Sequence, residues 1–224
     1  LASCEEVLEP QPVDRITDDL VLNDAGSVRT VITTLYRNLA SLHAVTVIAG
    51  DMSADLLIHN GTFTQYIELG TKDMSASNGS AVAMWGVIYS MNYTANFLIE
   101  RIPTLENVVD PLKEEFLAYA RFFRGSSYFV GVNTFGDMPL VTSTDITVNR
   151  SIPRTSKEEI LTFIEEDLLF ALDKIPEESF NRGEITNGAV KAALARFYLY
   201  QENWEEAERF ASEIQAIVHD LDPG

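Results

Sequence analysis

Apolar residues recur at intervals of three and four along most of this 224-residue chain. Side chains at that spacing lie on one face of an α-helix, so the pattern predicts amphipathic helices from end to end. Six apolar stripes carry this signal: Val28 to Leu42, Met84 to Ile102, Phe116 to Val130, Ile160 to Ala171, Val190 to Tyr198, and Trp204 to Val218.

Capping residues, prolines and glycines predict where these helices begin and end. A short polar side chain accepts the free backbone N–H groups of a first turn, and proline cannot continue the hydrogen-bonding pattern of a helix. The predicted starts are Asp24, Asp110 with Pro111 in the first turn, the capping box Ser156 to Glu159, and Thr186 or Asn187. The predicted ends are Pro103, Gly131 and Pro176.

The β signal is weak. Residues 43–49 fit a short strand, but they also continue the helical stripe before them. Two gaps, from about Gly50 to Gly79 and from about Val132 to Thr155, are predicted as long loops, which are uncommon in compact domains and often functional. Because no Gly-, Ser- or Pro-rich linker divides the chain, we expect one helical domain.

The charge balance argues against two classes of function, nucleic acid binding and electrostatic membrane binding. Thirty-four acidic residues against sixteen Lys and Arg give a formal charge of −18. Nucleic acid binding requires a basic stripe, and the sequence has none. An acidic surface also repels anionic lipid headgroups, and no apolar run approaches the ~18 residues of a membrane helix. Any membrane attachment is therefore expected to be covalent.

No catalytic, metal or cofactor site is predicted. Glu165 and Asp167 belong to an acidic run, but neighbouring residues of a helix point in different directions and do not form a carboxylate pair. Asp167 falls near the apolar stripe and is expected to be a buried structural carboxylate. The three histidines, His43, His59 and His219, are scattered without zinc-ligand spacing.

The chain start resembles a bacterial lipoprotein. Leu1-Ala2-Ser3-Cys4 is similar to the end of a lipobox, and a first residue other than Met indicates that an upstream segment has been removed or omitted. Cys4 is the one cysteine, so it cannot form an internal disulfide and is expected to carry the lipid. A chance match to so short a pattern is the alternative. The stretch from Cys4 to Pro12 is similar to the mature N-terminus of SusD-like lipoproteins.

Four further segments resemble the SusD/RagB family in the family's own order. They are Met84 to Tyr89 with Ala95-Asn96, Arg121 to Tyr128 leading into Phe135 to Leu140, Ser156 to Pro176, and Ala192 to Tyr200 with Trp204 to Ala207. The chain departs from the family pattern at Asn181 to Glu184 and at Gly125.

The last of these segments also resembles a tetratricopeptide repeat, in which small residues let two helices approach closely. Ala195 and Ala207 are the predicted small contacts. The resemblance implies an all-α bundle of antiparallel helix pairs with this repeat-like packing. The predicted core is Trp85, Ile88, Phe123, Ile164, Leu194, Tyr198, Trp204 and Ala207.

The family resemblance also implies a function and a domain division. We expect a lipid-anchored protein on the bacterial outer membrane, exposed at the cell surface, that binds an oligosaccharide or other nutrient for a TonB-dependent (SusC-like) transporter without catalysis or cofactor. Residues 1–22 would be the lipobox remnant and tether, and residues 23–224 the helical domain. The C-terminal half of the family fold is expected to be absent from this chain. A helical-repeat scaffold that binds a protein partner and no small ligand is the alternative.

The first gap is the predicted ligand-binding segment. Sugar rings stack on aromatic faces while amides and carboxylates bond the hydroxyl groups, and this gap holds that mixture. The candidate residues are Asp55, His59, Asn60, Phe63, Gln65 and Tyr66. The alternative is a structural loop whose Phe63 and Tyr66 only pack on the helices.

The lipid anchor leads to the first testable prediction. Acylation gives about 0.8 kcal/mol per buried methylene, so Cys4→Ala in the native precursor should release the protein from outer-membrane fractions or leave it unprocessed. Fractionation followed by immunoblotting measures this, with Ser3→Ala as the control that keeps the thiol. Membrane association that survives Cys4→Ala would contradict lipidation.

Overall fold

The computed structural model describes residues 22–177 and 183–221, with side chains described as far as residue 215. Cys4 and most of the predicted tether lie outside these ranges, whereas Leu22 is buried in the core. Within them the chain forms eight α-helices: α1 Ala25–Ser53, α2 Thr64–Thr71, α3 Gly79–Arg101, α4 Asp110–Phe135, α5 Ile146–Asn149, α6 Lys157–Lys174, α7 Asn187–Tyr200 and α8 Trp204–Leu221. The predicted all-α class is confirmed.

Helix α1 begins where the sequence predicts. The Asp24 carboxylate accepts a hydrogen bond from the Ser27 backbone N–H at 2.7 Å, and the Ser27 hydroxyl accepts from Asp24 N–H at 3.1 Å, which completes a capping box. Residues 43–49 continue the helix, so the strand interpretation of that stretch is wrong. Helix α1 packs on α3, whose buried face is the predicted stripe from Met84 to Leu98.

Both predicted boundaries of helix α4 are wrong. Val109 is the N-cap residue, and Asp110 is the first helical residue rather than the cap. The helix passes through Gly131 and ends at Phe135, with Gly136 as the C-cap residue, whose φ of +69° favours glycine. Gly131 serves packing, because a Cβ there would lie 2.8 Å from the Met138 sulfur. The loop after α4 thus folds back against the helix.

The two predicted long loops are partly helical. Helix α2 lies inside the first gap and the single turn of α5 lies inside the second. These helices are short, with eight and four residues, so their apolar periodicity is too brief to be detected in sequence.

A buried ion pair joins α4 to α6. The Arg124 Nε and Nη2 atoms donate to the two Asp167 carboxylate oxygens at 2.8 and 2.9 Å, and Nη1 donates to Asn96 Oδ1 on α3 at 2.7 Å. Asp167 is only 2% exposed, as the sequence predicts. Burial raises the pKa of the Asp167 carboxyl, and the guanidinium groups of Arg124 and Arg121 oppose that shift.

The same polar cluster anchors the second gap. Asn96 Nδ2 donates to Val141 O at 2.9 Å, and the Tyr128 hydroxyl accepts from Val141 N at 2.7 Å. The Tyr89 hydroxyl donates to Pro139 O at 2.8 Å. Further along, Asp137 accepts from the Lys157 backbone N–H at the start of α6. Side chains of α3 and α4 thus fasten the loop between α4 and α6, together with an antiparallel backbone bridge between Met138 and Thr155.

Helices α7 and α8 form the final pair across a three-residue turn, and Tyr198 stacks on Phe210 with ring centroids 5.8 Å apart. Ala207 is buried between them. The tetratricopeptide-repeat assignment of this pair stays a prediction. Trp204 corrects the predicted core: it is 61% exposed, because it is the first residue of α8 and precedes the part of the helix that packs on α7. Trp85 is half-buried against Phe135.

The buried pair leads to the second prediction. Asp167→Ala leaves the Arg124 guanidinium buried without its partner and should cost about 3–5 kcal/mol of unfolding free energy, measured by urea denaturation. The double variant Arg124→Met with Asp167→Leu should lose less, because it leaves no unpaired charge. Glu166→Ala is the matched control on the exposed side of the same helix and should change stability by less than about 0.5 kcal/mol. Equal losses from the single and double variants would contradict the pair's role.

Candidate functional site

The candidate ligand-binding segment connects α1 to α3. An ion pair and backbone hydrogen bonds fix its first residues. Asp55 follows the end of α1 with a φ of +63°, and its carboxylate forms an ion pair with Lys72 just beyond α2. The backbone N–H groups of Leu56 and Leu57 both donate to Asp51 O, at 2.8 and 3.1 Å. This exposed ion pair links the end of α1 to the end of α2, and it engages the Asp55 carboxylate.

Three predicted residues form one aromatic cluster, defined here as His59, Phe63 and Tyr66. Ring centroids lie 5.8 Å apart for His59 and Phe63, 5.2 Å for His59 and Tyr66, and 6.1 Å for Phe63 and Tyr66. The Phe63 backbone N–H donates to His59 Nε2 at 3.3 Å, which positions the imidazole at the start of α2. Gly61 leaves room for the imidazole in this position, because a Cβ there would lie 2.8 Å from the ring.

The cluster faces both solvent and protein. Phe63 is 62% exposed, whereas His59 and Tyr66 are half-buried. Tyr66 and Gln65 line a shallow cavity of about 140 Å³ against α1 and α3. Asn60 is exposed and makes no hydrogen bond within the described part of the chain. Five of the six predicted residues therefore lie around the exposed ring of Phe63. The sixth, Asp55, lies at the start of the segment and pairs with Lys72.

The candidate segment also exposes apolar side chains, which the sequence pattern did not predict. Ile58 is 91% exposed, and Leu56 and Leu57 are exposed beside it. Contiguous exposed apolar side chains mark surfaces that contact another molecule. A signal was present in the sequence, since Leu56, Leu57 and Ile58 are consecutive, but such a run is equally typical of a buried strand.

A polar frame fixes α2 against the start of α3. The Glu68 carboxylate accepts from Asn78 Nδ2 at 2.8 Å and from Ser75 N at 3.2 Å, while Asn78 Oδ1 accepts from Ser80 N at 2.9 Å. The hydrogen bond from the Asn78 side chain, followed by those from Ser75, lowers the pKa of Glu68. This frame fixes α2, the helix that begins at the aromatic cluster, to the start of α3.

The acidic run that resembled a carboxylate pair does not converge. Asp167 pairs with Arg124, whereas Glu165 accepts a hydrogen bond from the Tyr198 hydroxyl at 2.6 Å. Among the described residues, no group of three or more His, Cys, Asp or Glu side chains is arranged to hold a metal ion. In the same part of the chain, no helix is long and apolar enough to span a bilayer.

The geometry defines an all-α protein of packed helix pairs that displays an aromatic segment at one end of its longest helix. A family model described as starch-binding and associating with the outer membrane matches residues 16–199. The chain belongs to this SusD-like family.

Relatives of known sequence support the assignment. A SusD-like protein of Formosa agariphila is 26% identical over 223 residues, which covers 91% of this chain and 41% of that protein. A SusD-like protein of Bacteroides ovatus is 28% identical over 142 residues, or 62% of this chain and 26% of that protein. The chain spans less than half the length of these relatives.

Solved structures share the fold. A SusD-like protein from Bacteroides fragilis superposes with a TM-score of 0.75 at 25% identity, covering 92% of this chain and 40% of that chain. A laminarin-binding SusD-like protein gives 0.79 at 20% identity, with coverages of 86% and 44%. A structure solved with a xylogluco-oligosaccharide gives 0.69 at 23% identity, with coverages of 84% and 40%. The last two likenesses concern the fold alone.

Glu68 leads to the third prediction. Because its folded pKa lies below the ordinary value of 4.5, the frame is complete at neutral pH and is lost as pH falls through that lowered pKa. The Ser75 amide proton, followed by NMR, should therefore titrate with a midpoint below 4.5. Glu68→Gln should abolish that titration. A midpoint at or above the ordinary value would contradict the frame.

Proposed function

We propose that this chain is the helical part of a glycan-binding lipoprotein at the cell surface, in which the aromatic cluster of His59, Phe63 and Tyr66 contributes to ligand binding. The observation that carries the proposal is the exposed ring of Phe63, held in contact with two further rings at the start of α2. Aromatic faces of this kind present apolar surface to the C–H groups of a sugar ring. Amides nearby, at Asn60 and Gln65, supply hydrogen bonds to hydroxyl groups.

The family supports glycans as the ligand class. Its description is starch-binding, and two proteins of the same fold bind laminarin or were solved with a xylogluco-oligosaccharide. We propose capture rather than catalysis, since Glu165 and Asp167 are engaged by Tyr198 and Arg124. Asp55 is assigned to the structure of the segment, because its carboxylate pairs with Lys72.

The anchor and the partner complete the proposal. Cys4 would carry the lipid, residues 1–22 would form the tether, and residues 23–224 the helical domain that works with a TonB-dependent transporter. The association of the family with the outer membrane supports this arrangement. The formal charge of −18 supports a covalent rather than an electrostatic attachment.

A protein-binding surface is the second candidate for the same segment, and the exposed side chains of Leu56 and Ile58 favour it. Apolar aliphatic groups are typical of protein contacts, whereas sugar recognition uses aromatic faces and polar groups. Glycan binding and protein binding therefore depend on different residues of the same segment, so substitutions can distinguish the two candidate functions.

The fourth prediction separates them. In the full-length protein, Phe63→Ala and Tyr66→Ala should each weaken binding to starch, laminarin or xyloglucan oligosaccharides by about 1 kcal/mol or more in calorimetry. The melting temperature of Phe63→Ala should be unchanged, since Phe63 is largely exposed, and binding by Tyr66→Ala is measured below the melting temperature of that variant, since Tyr66 is half-buried. Tyr93→Ala removes an exposed ring of α3, about 20 Å along that helix from Gly79, and should have no effect.

Unchanged glycan affinity in both variants would assign the segment to structure or to a protein partner. Leu56→Ser with Ile58→Ser then decides between these. Loss of transporter co-purification with this variant would establish a protein-binding surface, whereas retention would leave the segment a purely structural one.

A further inference from the structure

Two cavities lie end to end between α1 and α4. The first has a volume of about 230 Å³ and is bordered by α6 and α7, and the second has a volume of about 340 Å³ and lies against α2 and the first turns of α3. On α1 the lining residues follow one another at intervals of three and four, so both cavities open on the same face of that helix. These residues are Leu39, His43, Thr46, Gly50 and Ser53.

The lining residues of α4 show the same spacing and join the two cavities into one groove. They are Phe122, Ser126, Phe129 and Asn133. From Leu39 to Ser53, α1 spans about 20 Å. The groove is open to solvent, because Gly50 and Asn133 are exposed. We call the two cavities and the helix faces that join them the α1–α4 groove.

Apolar side chains form most of the groove walls. Leu39, Phe122 and Leu168 line the first cavity, and Leu69, Met84 and Phe135 line the second. Two apolar groups at the groove are also exposed. Met74 of the second cavity is 54% exposed, and Tyr200, whose ring centroid lies 5.2 Å from that of Phe129, is 59% exposed. Exposed apolar surface of this kind marks a contact with another molecule.

The polar side chains of the groove are bonded to their own helices. The Thr46, Asn133 and Thr134 side chains each donate to the backbone carbonyl four residues earlier, at 2.7, 2.8 and 2.8 Å. A sugar requires donors and acceptors that point into its site. Because these donors are already used, the groove suits apolar groups better than the hydroxyl groups of a glycan.

The groove differs in charge from the rest of the protein. The chain has thirty-four acidic residues, yet none of the described residues that line the two cavities carries a carboxylate. Arg196 of α7 lines the first cavity, and its guanidinium forms no ion pair or hydrogen bond with a described residue. An unpaired guanidinium beside apolar walls favours a partner that presents a carboxylate next to apolar side chains.

We propose that the α1–α4 groove binds a polypeptide segment of a partner protein that carries large apolar side chains and a carboxylate. The apolar side chains fill the two cavities, and the carboxylate pairs with Arg196. The length and openness to solvent of the groove favour a polypeptide, since small-molecule pockets enclose most of their ligand. The proposal is independent of glycan binding, because His59, Phe63 and Tyr66 line neither cavity.

Peptide display on the full-length protein tests the proposal. Random short peptides are selected on the full-length protein and counter-selected on its Gly50→Leu variant, whose new side chain occupies the second cavity. The variant should fold, because a Cβ at Gly50 meets no atom within 4 Å. The surviving peptides should combine large apolar residues with Asp or Glu. The absence of survivors, or survivors rich in Lys and Arg, would overturn the proposal.

Fluorescence anisotropy with one surviving peptide then tests the charge contact. Arg196→Gln should weaken binding about fivefold and reduce its dependence on salt. Arg37→Gln, at an exposed arginine of α1 that lines neither cavity, should leave the affinity unchanged. Gly86→Leu is the matched control for Gly50→Leu, because Gly86 is an exposed glycine of α3 with equally open surroundings. Full binding by Arg196→Gln, or loss of binding in Gly86→Leu, would contradict the assignment of the groove.

Two further measurements exclude other occupants and other surfaces. The double variant Phe63→Ala with Tyr66→Ala should retain the peptide, and its loss would place the peptide on the aromatic cluster instead. Sedimentation equilibrium of the full-length protein should show the same mass for the unmodified protein and for Gly50→Leu. A dimer that Gly50→Leu dissociates would assign the groove to a second copy of the protein and refute the binding of a different partner.

Discussion

The bidentate pair between Arg124 and Asp167 is the contact on which the arrangement of α3, α4 and α6 depends. Two charges removed from water are tolerated only when their hydrogen bonds are satisfied in good geometry. Arg124 meets this demand with both Asp167 oxygens and with Asn96, and Asn96 in turn holds Val141. Three helices and the loop after α4 thus share one polar cluster. Gly125 allows the close approach, because a Cβ there would lie 3.3 Å from Asp167 Cβ.

Helix α1 borders two kinds of surface. At its C-terminal end the segment around Ile58 and Phe63 exposes apolar and aromatic side chains, while ion pairs and hydrogen bonds hold its base. Along one face of α1, Leu39 and Gly50 line the α1–α4 groove. We propose the first surface for ligand binding, because exposed aromatic faces suit stacking on a sugar ring.

Hydrogen bonds and an ion pair fix the segment that carries the aromatic cluster, and the ring of Phe63 is exposed. Glu68 and Asn78 fasten α2 to the start of α3, and Asp55 forms an ion pair with Lys72. Ordering a loop on binding costs conformational entropy, so a segment whose ends are already fixed retains more of its contact energy for a ligand. Phe63 is the N-cap residue of α2, and in the proposed binding role this position keeps its ring exposed.

The sequence by itself determined the local elements: the stripe from Met84 to Leu98, the cap at Asp24 and the burial of Asp167 follow from helical periodicity and short-range hydrogen bonding. It also brought His59, Phe63 and Tyr66 together as candidates. Only the tertiary structure decided that Trp204 is exposed, that α4 runs past Gly131 to Phe135, and that Asp55 is engaged by Lys72. The α1–α4 groove was equally hidden, because its residues come from distant segments of the chain. Such contacts join residues that are distant in sequence. They depend on how the helices pack against one another, which the spacing of residues along the chain does not determine.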